Sequence, residues 1–303
     1  MRAAVIDLGT NTFNLLVYHR TPQLNVVHSE ELPVFLGRGG MQRGANTDEA
    51  LEQGMVVLAR FAEKARASGA EHITGIGTSA LRNARNAHVL VERAWQELGI
   101  TVTVIPGHEE AELILEGVRQ AVSFGTRPML VMDVGGGSIE FILATNKALM
   151  WKRSFEIGVT RLRDRFIVSD PISLDDHFRL SAYLDAQLEP LFAVMDRHWP
   201  TALVGSAGSF DTLASIVAAA RGEDLIEALT LNLRDEEIDP IRTSIMGMSR
   251  AERLRVQGLP EHRVDTIQPA LVVLERVMLH GIEEIRWSRY ALKEGAAMRN
   301  PIA

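Results

Sequence analysis

Asp133, Ser138 and Glu140 surround three consecutive glycines in the stretch Val131-Met-Asp-Val-Gly-Gly-Gly-Ser-Ile-Glu-Phe-Ile-Leu143. Glycines carry no Cβ, so their N–H groups can converge on an anion at close range, and the turn is free to take positive φ. Phosphate is the natural guest for Gly135, Gly136, Gly137 and Ser138. Asp133 before the turn and Glu140 after it put two carboxylates beside that guest, which is where a divalent cation takes oxygen ligands. A metal–phosphate site is the chemistry these types describe. The competing reading is a plain hairpin with a Gly-rich bend, and a lone triplet would favour it.

The triplet is not alone. The stretch Val5-Ile-Asp-Leu-Gly-Thr-Asn-Thr-Phe-Asn-Leu-Leu-Val17 repeats the pattern 126 residues earlier (133 − 7), with Asp7 over Asp133, Gly9 over Gly135, Thr12 over Ser138 and Leu16 over Ile142. Gly9, Thr10, Asn11 and Thr12 form a second candidate phosphate turn, and Asp7 is a third candidate metal acid. Internal self-similarity of this kind predicts two related domains. Their equivalent hairpins are expected to face each other across a cleft and hold a ligand of several phosphates from both sides.

The paired motifs resemble the nucleotide-phosphate turns of the actin, hexokinase and heat-shock-chaperone superfamily. Ile6-Asp-Leu-Gly-Thr-Asn-Thr-Phe13 and Asp133-Val-Gly-Gly-Gly-Ser-Ile-Glu140 are most similar to its exopolyphosphatase and guanosine pentaphosphate phosphohydrolase (Ppx/GppA) branch. Four more stretches carry the resemblance. Gly77-Thr-Ser-Ala-Leu-Arg82 matches a segment whose arginine faces the phosphates in the family, which maps onto Arg82. Ile105-Pro-Gly-His-Glu-Glu-Ala-Glu-Leu-Ile114 matches the segment of the catalytic carboxylate, which maps onto Glu110, with Pro106 as a small departure. Gly205-Ser-Ala-Gly-Ser209 corresponds to a Gly-Ser/Thr-x-Gly-Thr turn and adds Ser206 and Gly208 to the phosphate-binding set; Phe210 and Asp211 depart from what commonly follows. Leu292-Lys-Glu-Gly295 matches the closing motif. On residue type alone, Arg82 reads as a solvated arginine, and Glu109 and Glu110 as acids placed for the helix dipole.

The resemblance implies an α/β fold of two ribonuclease-H-like, actin-like ATPase domains in the family's short two-domain form. The first would cover residues 1–124, with a C-terminal helix over 290–303 packing back on it, and the second 125–289. It implies a phosphohydrolase that releases orthophosphate from inorganic polyphosphate or guanosine pentaphosphate. Magnesium would sit on Asp133 and Glu140 with Asp7, and Glu110 would act as base. A small-molecule kinase of the same superfamily and a non-catalytic sensor of guanosine tetraphosphate or pentaphosphate are the alternatives.

These groups need elements to hold them. Residues 3–6, 13–18, 24–29, 72–77 and 101–105 read as strands of the first half. Helices are expected from 48, with Thr47 as N-cap, over 86–98, and from Glu109. The second half reads as strands over 131–143, 148–155, 202–205 and 285–288. Helices are expected from 157, over 174–194 and 211–220, and throughout 235–281. Leu36-Gly-Arg-Gly-Gly40 is a partly basic loop that lines a ligand site or turns a corner, the corner being favoured. Lys152, Arg153 and Arg161 make either a basic lip or a solvated face.

Composition sets outer limits. The chain has 303 residues, of which 46% are hydrophobic and 23% charged, as in globular domains with cores of their own. It has no cysteine, which excludes disulfides, thiolate catalysis and Cys-ligated zinc. No apolar run is long enough to cross a bilayer and no leader pattern opens the chain, so a cytoplasmic protein without a membrane partner is expected. The net charge of −7 argues against a nucleic-acid binder. It also leans against long polyphosphate, since a polyanion could bind only along a local basic path. Oligomeric state is left open, a homodimer included.

Overall fold

The computed structural model describes residues 1–20 and 24–299. Residues 300–303, the end of the expected C-terminal helix, lie outside the described residues. The chain divides into two compact units, Met1–Gln120 with Tyr290–Ala303, and Ala121–Arg289.

In the first unit the elements are β1 (Arg2–Leu8), β2 (Thr12–Arg20), β3 (Leu24–Pro33), α1 (Asp48–Ala67), β4 (Ala70–Gly77), α2 (Ser79–Arg82), α3 (Ala87–Leu98), β5 (Thr101–Val104) and α4 (Gly107–Ala121). The second carries β6 (Met129–Val134), β7 (Ile139–Ala144), β8 (Leu149–Phe155), α5 (Val159–Phe166), α6 (Leu174–His198), β9 (Ala202–Ser206), α7 (Ala207–Arg221), β10 (Thr230–Leu233), α8 (Asp235–Gly247), α9 (Arg250–Arg253), α10 (Ile267–Met278) and β11 (Glu284–Ser288). The closing helix α11 (Leu292–Arg299) belongs to the first unit.

One topology occurs twice. The first sheet has the order β3-β2-β1-β4-β5, and the second β10-β11-β9-β6-β7-β8. Read from β8, the second sheet runs third, second, first, fourth, fifth strand like the first, with β10 added at the far edge. In each, the first three strands form an antiparallel meander, and the next two join parallel through helical crossovers. The 126-residue offset is therefore a repeat of architecture as well as of motif.

Each unit has its own core. Ile6, Leu8, Phe13, Leu15, Leu58 and Phe61 centre the first, and Leu130, Met132, Phe141, Leu184 and Leu271 the second. Covering on both faces makes β6 and β7 buried at every residue, which is why 129–134 and 139–144 read as nearly continuous apolar runs. On α6, Leu180, Leu184, Leu188, Leu191 and Met195 recur at helical spacing as one buried seam. Thr47 caps α1, its hydroxyl accepting from Ala50 N at 3.2 Å.

The expected continuous helix over 235–281 is broken. α8, α9 and α10 are separated by a loop in which Gly258, at φ +88°, lies against the backbone of Ser215 and Ile216, where a Cβ would come within 2.7 Å. Close docking on α7 wins there over helix propagation. Arg253 staples the loop: its Nε donates to Val264 O at 2.8 Å, and its Nη1 to Met248 O at 2.7 Å and Asp170 Oδ1 at 3.0 Å.

Candidate active site

In the second unit the strand registers line up four polar side chains. Asp133 is paired with Glu140 on β7 and with Ser206 on β9, and Glu140 is paired with Ser154 on β8. Register partners project to the same face, so Ser154, Glu140, Asp133 and Ser206 form a row across four strands. Ser154 Oγ donates to Glu140 Oε1 at 2.6 Å and Ser206 Oγ to Asp133 Oδ2 at 2.7 Å. Asp133 is 7% exposed, Glu140 1% and Ser206 0%. The hydroxyls orient both carboxylates, as outer-shell donors do for metal-binding acids.

The glycine turn closes the row. Gly135 N donates to Ser138 O at 3.1 Å across it. The carbonyls of Gly135, Gly136 and Gly137 accept from the first amides of α5: Val159 N to Gly135 O at 3.0 Å, Thr160 N to Gly136 O at 3.0 Å, and Gly158 N to Gly137 O at 3.1 Å. In a trans peptide the C=O and the following N–H point in opposite directions. With the three carbonyls directed at α5, the amides of Gly136, Gly137 and Ser138 are turned to the other side, as an anion requires. Gly135 does not use positive φ. Its need is room, since a Cβ there would lie 2.9 Å from Ser138 O. The basic lip does not form around Arg161, whose Nε donates to Gly137 O at 2.8 Å while Nη2 pairs with Glu156 at 3.0 Å.

The first unit builds the same turn with other parts. Gly9 N donates to Thr12 O at 3.2 Å, and a Cβ on Gly9 would meet that oxygen at 2.7 Å. Here the buttress is the segment after β3. Val34 N and Phe35 N donate to Asn11 O at 2.8 and 2.9 Å, and Gly37 N donates to Thr10 O at 3.2 Å. The loop read as a corner thus braces the Gly9–Thr12 turn. Asp7 is paired in register with Asn14, whose Nδ2 donates to its Oδ2 at 3.4 Å; Asn14 stands where Glu140 stands in the second unit. Two carboxylates therefore face each other in the second sheet, and a carboxylate and an amide in the first.

Glu110 lies in the first turn of α4, 6% exposed. Arg82, at the end of α2, donates through Nη1 to Glu110 Oε2 at 2.7 Å and to Ile105 O at 3.2 Å. The structure thus joins the two expected catalytic residues in an ion pair that no local spacing foretells. The position of α4 is set by backbone contact with α11. A Cβ at Gly295 would come 1.7 Å from Leu113 O, and one at Gly117 1.9 Å from Ala291 O. The closing Leu-Lys-Glu-Gly motif is the seat of the helix that carries Glu110. Glu294, 2% exposed, accepts from Ala291 N at 2.9 Å at its start.

At the β9–α7 turn, Ala207 has φ 62° and the Arg263 guanidinium lies against Gly208, where a Cβ would meet Nη1 at 1.5 Å. Gly208 is small because an arginine rests on it. Arg263, half-buried, is a cation beside the turn. Phe210 and Asp211 serve the fold, Phe210 filling the space over Gly205 and Asp211 Oδ1 accepting from Trp287 Nε1 at 2.7 Å.

Among the described residues no group of three or more His, Cys, Asp or Glu is gathered as a metal site. Asp133 and Glu140 nonetheless fit magnesium, because that ion takes one or two carboxylates and completes its shell with water and substrate phosphate oxygens.

Comparison with known proteins identifies the family. The Ppx/GppA phosphatase family matches residues 16–300. Exopolyphosphatase 2 of Mycobacterium tuberculosis is 27% identical over 312 aligned positions, covering 98% of each chain. A guanosine-5'-triphosphate,3'-diphosphate pyrophosphatase of Photobacterium profundum is 30% identical over 96% of this chain and 58% of its own. The crystal structure of an exopolyphosphatase from Cytophaga hutchinsonii superposes with a TM-score of 0.94 at 38% identity, over 97% of this chain and 96% of the other. The chain belongs to the Ppx/GppA phosphatase family.

Proposed function

We infer that this member of the Ppx/GppA family hydrolyses the terminal phosphoanhydride of inorganic polyphosphate or guanosine pentaphosphate and releases orthophosphate. The row Ser154–Glu140–Asp133–Ser206, set beside a turn whose amides face away from α5, carries the reading. It supplies the oriented acids and the N–H donors that a phosphoryl group and its cation need.

The amides of Gly136, Gly137 and Ser138 hold phosphate oxygens, and Thr10, Asn11 and Thr12 with the Gly9 turn serve the same substrate. Asp133 and Glu140 would hold magnesium, directly or through water, with Asp7 as the third candidate acid. The bound ion supplies charge neutralisation at the phosphate oxygens. Glu110 takes a proton from the attacking water as the new P–O bond forms and the bridging P–O bond breaks. The shortened polyphosphate, or guanosine tetraphosphate, departs with the bridging oxygen and its electron pair, and the attacked phosphorus is released as orthophosphate. Arg82 keeps Oε2 of Glu110 in place and contributes positive charge. No helix of the described residues is long and apolar enough to cross a membrane, and the cytoplasm is the proposed compartment.

The deciding experiment measures orthophosphate release with magnesium from short polyphosphate, long polyphosphate, guanosine pentaphosphate, and ATP with acceptors, for the wild type and Glu110→Gln. A general base contributes about 10²–10⁴-fold. The amide can still accept from Arg82, so a loss of that size with retained substrate binding supports the assignment. A near-normal rate refutes Glu110 as base. Nucleotide binding without turnover in the wild type replaces the hydrolase with a sensor.

A further inference from the structure

In an acidic chain, two segments of the first unit hold no acid. Residues 32–47 and 72–91 contain none of the 39 Asp and Glu residues, while they carry Arg38, Arg43, Arg82 and Arg85. The fold laces these segments together. Arg85 N donates to Gly44 O at 2.9 Å, Arg85 Nη1 to Arg43 O at 2.8 Å, and Asn46 and Asn86 exchange two hydrogen bonds at 2.9 and 2.8 Å. Arg82 is committed to Glu110. Arg38, Arg43 and Arg85 are exposed, and among the described residues none of the three is held in an ion pair.

Their placement beside the phosphate turn is built in. The loop bearing Arg38 donates Val34 N, Phe35 N and Gly37 N to the carbonyls of Thr10 and Asn11. Phe35 is held at φ 53°, a region costly for a bulky residue, and the Arg38 guanidinium stacks 4.1 Å from its ring centroid. Backbone strain retained at such a place goes with a ligand-facing role. The ring takes up one face of the guanidinium and leaves its N–H fork for an anion.

We propose that Arg38, Arg43 and Arg85 form a track for the phosphates of an inorganic polyphosphate chain beyond the one being cleaved. The inference rests on the hydrolase reading and selects polyphosphate within it. A linear chain carries a negative charge on every unit, so three cations in succession pay off for a chain and little for a compact nucleotide. The net charge of −7 does not oppose this, because screening confines the repulsion of distant acids to about 10 Å at 0.1 M salt.

The test uses the full chain and compares the triple variant Arg38→Gln/Arg43→Gln/Arg85→Gln with a charge-matched control, Arg60→Gln/Arg163→Gln/Arg234→Gln. The single variant Arg38→Gln is carried alongside in case the triple variant folds poorly. Equilibrium binding of long-chain polyphosphate, tripolyphosphate and guanosine pentaphosphate is measured across a salt series, without turnover. The track predicts about a tenfold loss of long-chain affinity at low salt, a shallower salt dependence, and a smaller loss for tripolyphosphate and the nucleotide. Arg38→Gln should show the same selectivity at smaller size. Equal losses in both triple variants, or an unchanged preference for long chains, overturn the track. Selective loss for guanosine pentaphosphate reassigns the arginines to the nucleotide and overturns it too. Because binding is read directly, a wild type that binds long chains but releases no phosphate refutes the hydrolase reading and leaves the track standing.

Discussion

Gly158 lies between two structures that must stay in register, the glycine turn and the start of α5. Its φ of −58° and ψ of 155° are open to any residue, so replacing it probes space alone. A Cβ at Gly158 would lie 2.3 Å from the Gly137 carbonyl carbon and 2.4 Å from that of Gly136. Ordinary contact begins at 3.4 Å, so the turn and the helix would have to separate by about 1 Å (3.4 − 2.3). That separation stretches the three amide bonds from Gly158, Val159 and Thr160, now 3.0–3.1 Å. At about 1 kcal/mol each, Gly158→Ala should destabilise the protein by about 2–3 kcal/mol. The same shift moves the Gly136, Gly137 and Ser138 amides, and a misplacement of about 1 Å costs on the order of 10²-fold in rate. Urea unfolding and steady-state phosphate release would be measured beside Gly247→Ala, where no heavy atom lies within 4 Å of the added Cβ. If Gly158→Ala matches Gly247→Ala in both stability and kcat/KM, the account of the turn as buttressed by α5 is wrong.

The remaining predictions concern the acids and the helix seat. Ser154→Ala should weaken magnesium binding about tenfold, with Ser154→Thr restoring it, because the hydroxyl that orients Glu140 is lost; calorimetric titration with magnesium that shows equal affinity would remove Ser154 from the site. Gly295→Ala places a methyl 1.7 Å from Leu113 O and should cost about 3 kcal/mol in stability and lower kcat by displacing α4 and Glu110; unchanged unfolding would contradict the close contact. Burial works to raise the pKa of Asp176, but hydrogen bonds from the Ser169 hydroxyl and amide, the Val168 amide and Arg179 outweigh it and bring it down to about 2 from 3.8. A depressed folded-state pKa stabilises above the unfolded value, so about 2 kcal/mol is in place above pH 4 and is lost as pH falls towards 2. Asp176→Asn should flatten the pH dependence of urea unfolding over that interval, and a parallel profile would refute the assignment.

Family, sheet-bearing repeat and the residue types gathered at the candidate site were legible in the sequence because they rest on local necessities. A turn that brings N–H groups to an anion needs glycine, a hairpin puts Asp133 and Glu140 within seven residues of each other, and a sheet covered on both faces leaves apolar runs at 129–134 and 139–144. Thr47 was readable as a cap because its partner, Ala50 N, is three residues away. The strand β10 was not legible. Thr230–Leu233 is short, and its strand character comes from pairing with β11 more than fifty residues later.

What tertiary structure decided depends on residues distant in the chain. Ser154 and Ser206 become partners of Glu140 and Asp133 only when β8 and β9 take their places on either side of β6 and β7. Arg82 reaches Glu110 across 28 residues, and Gly295 receives α4 across 182 (295 − 113). The two turns share a sequence pattern, but one is braced by a helix start and the other by a strained loop. Residue type fixed which groups could do the chemistry, through their charge, size and backbone freedom. Strand register and close packing, which are set by the burial of whole elements, decided what each of those groups is bonded to.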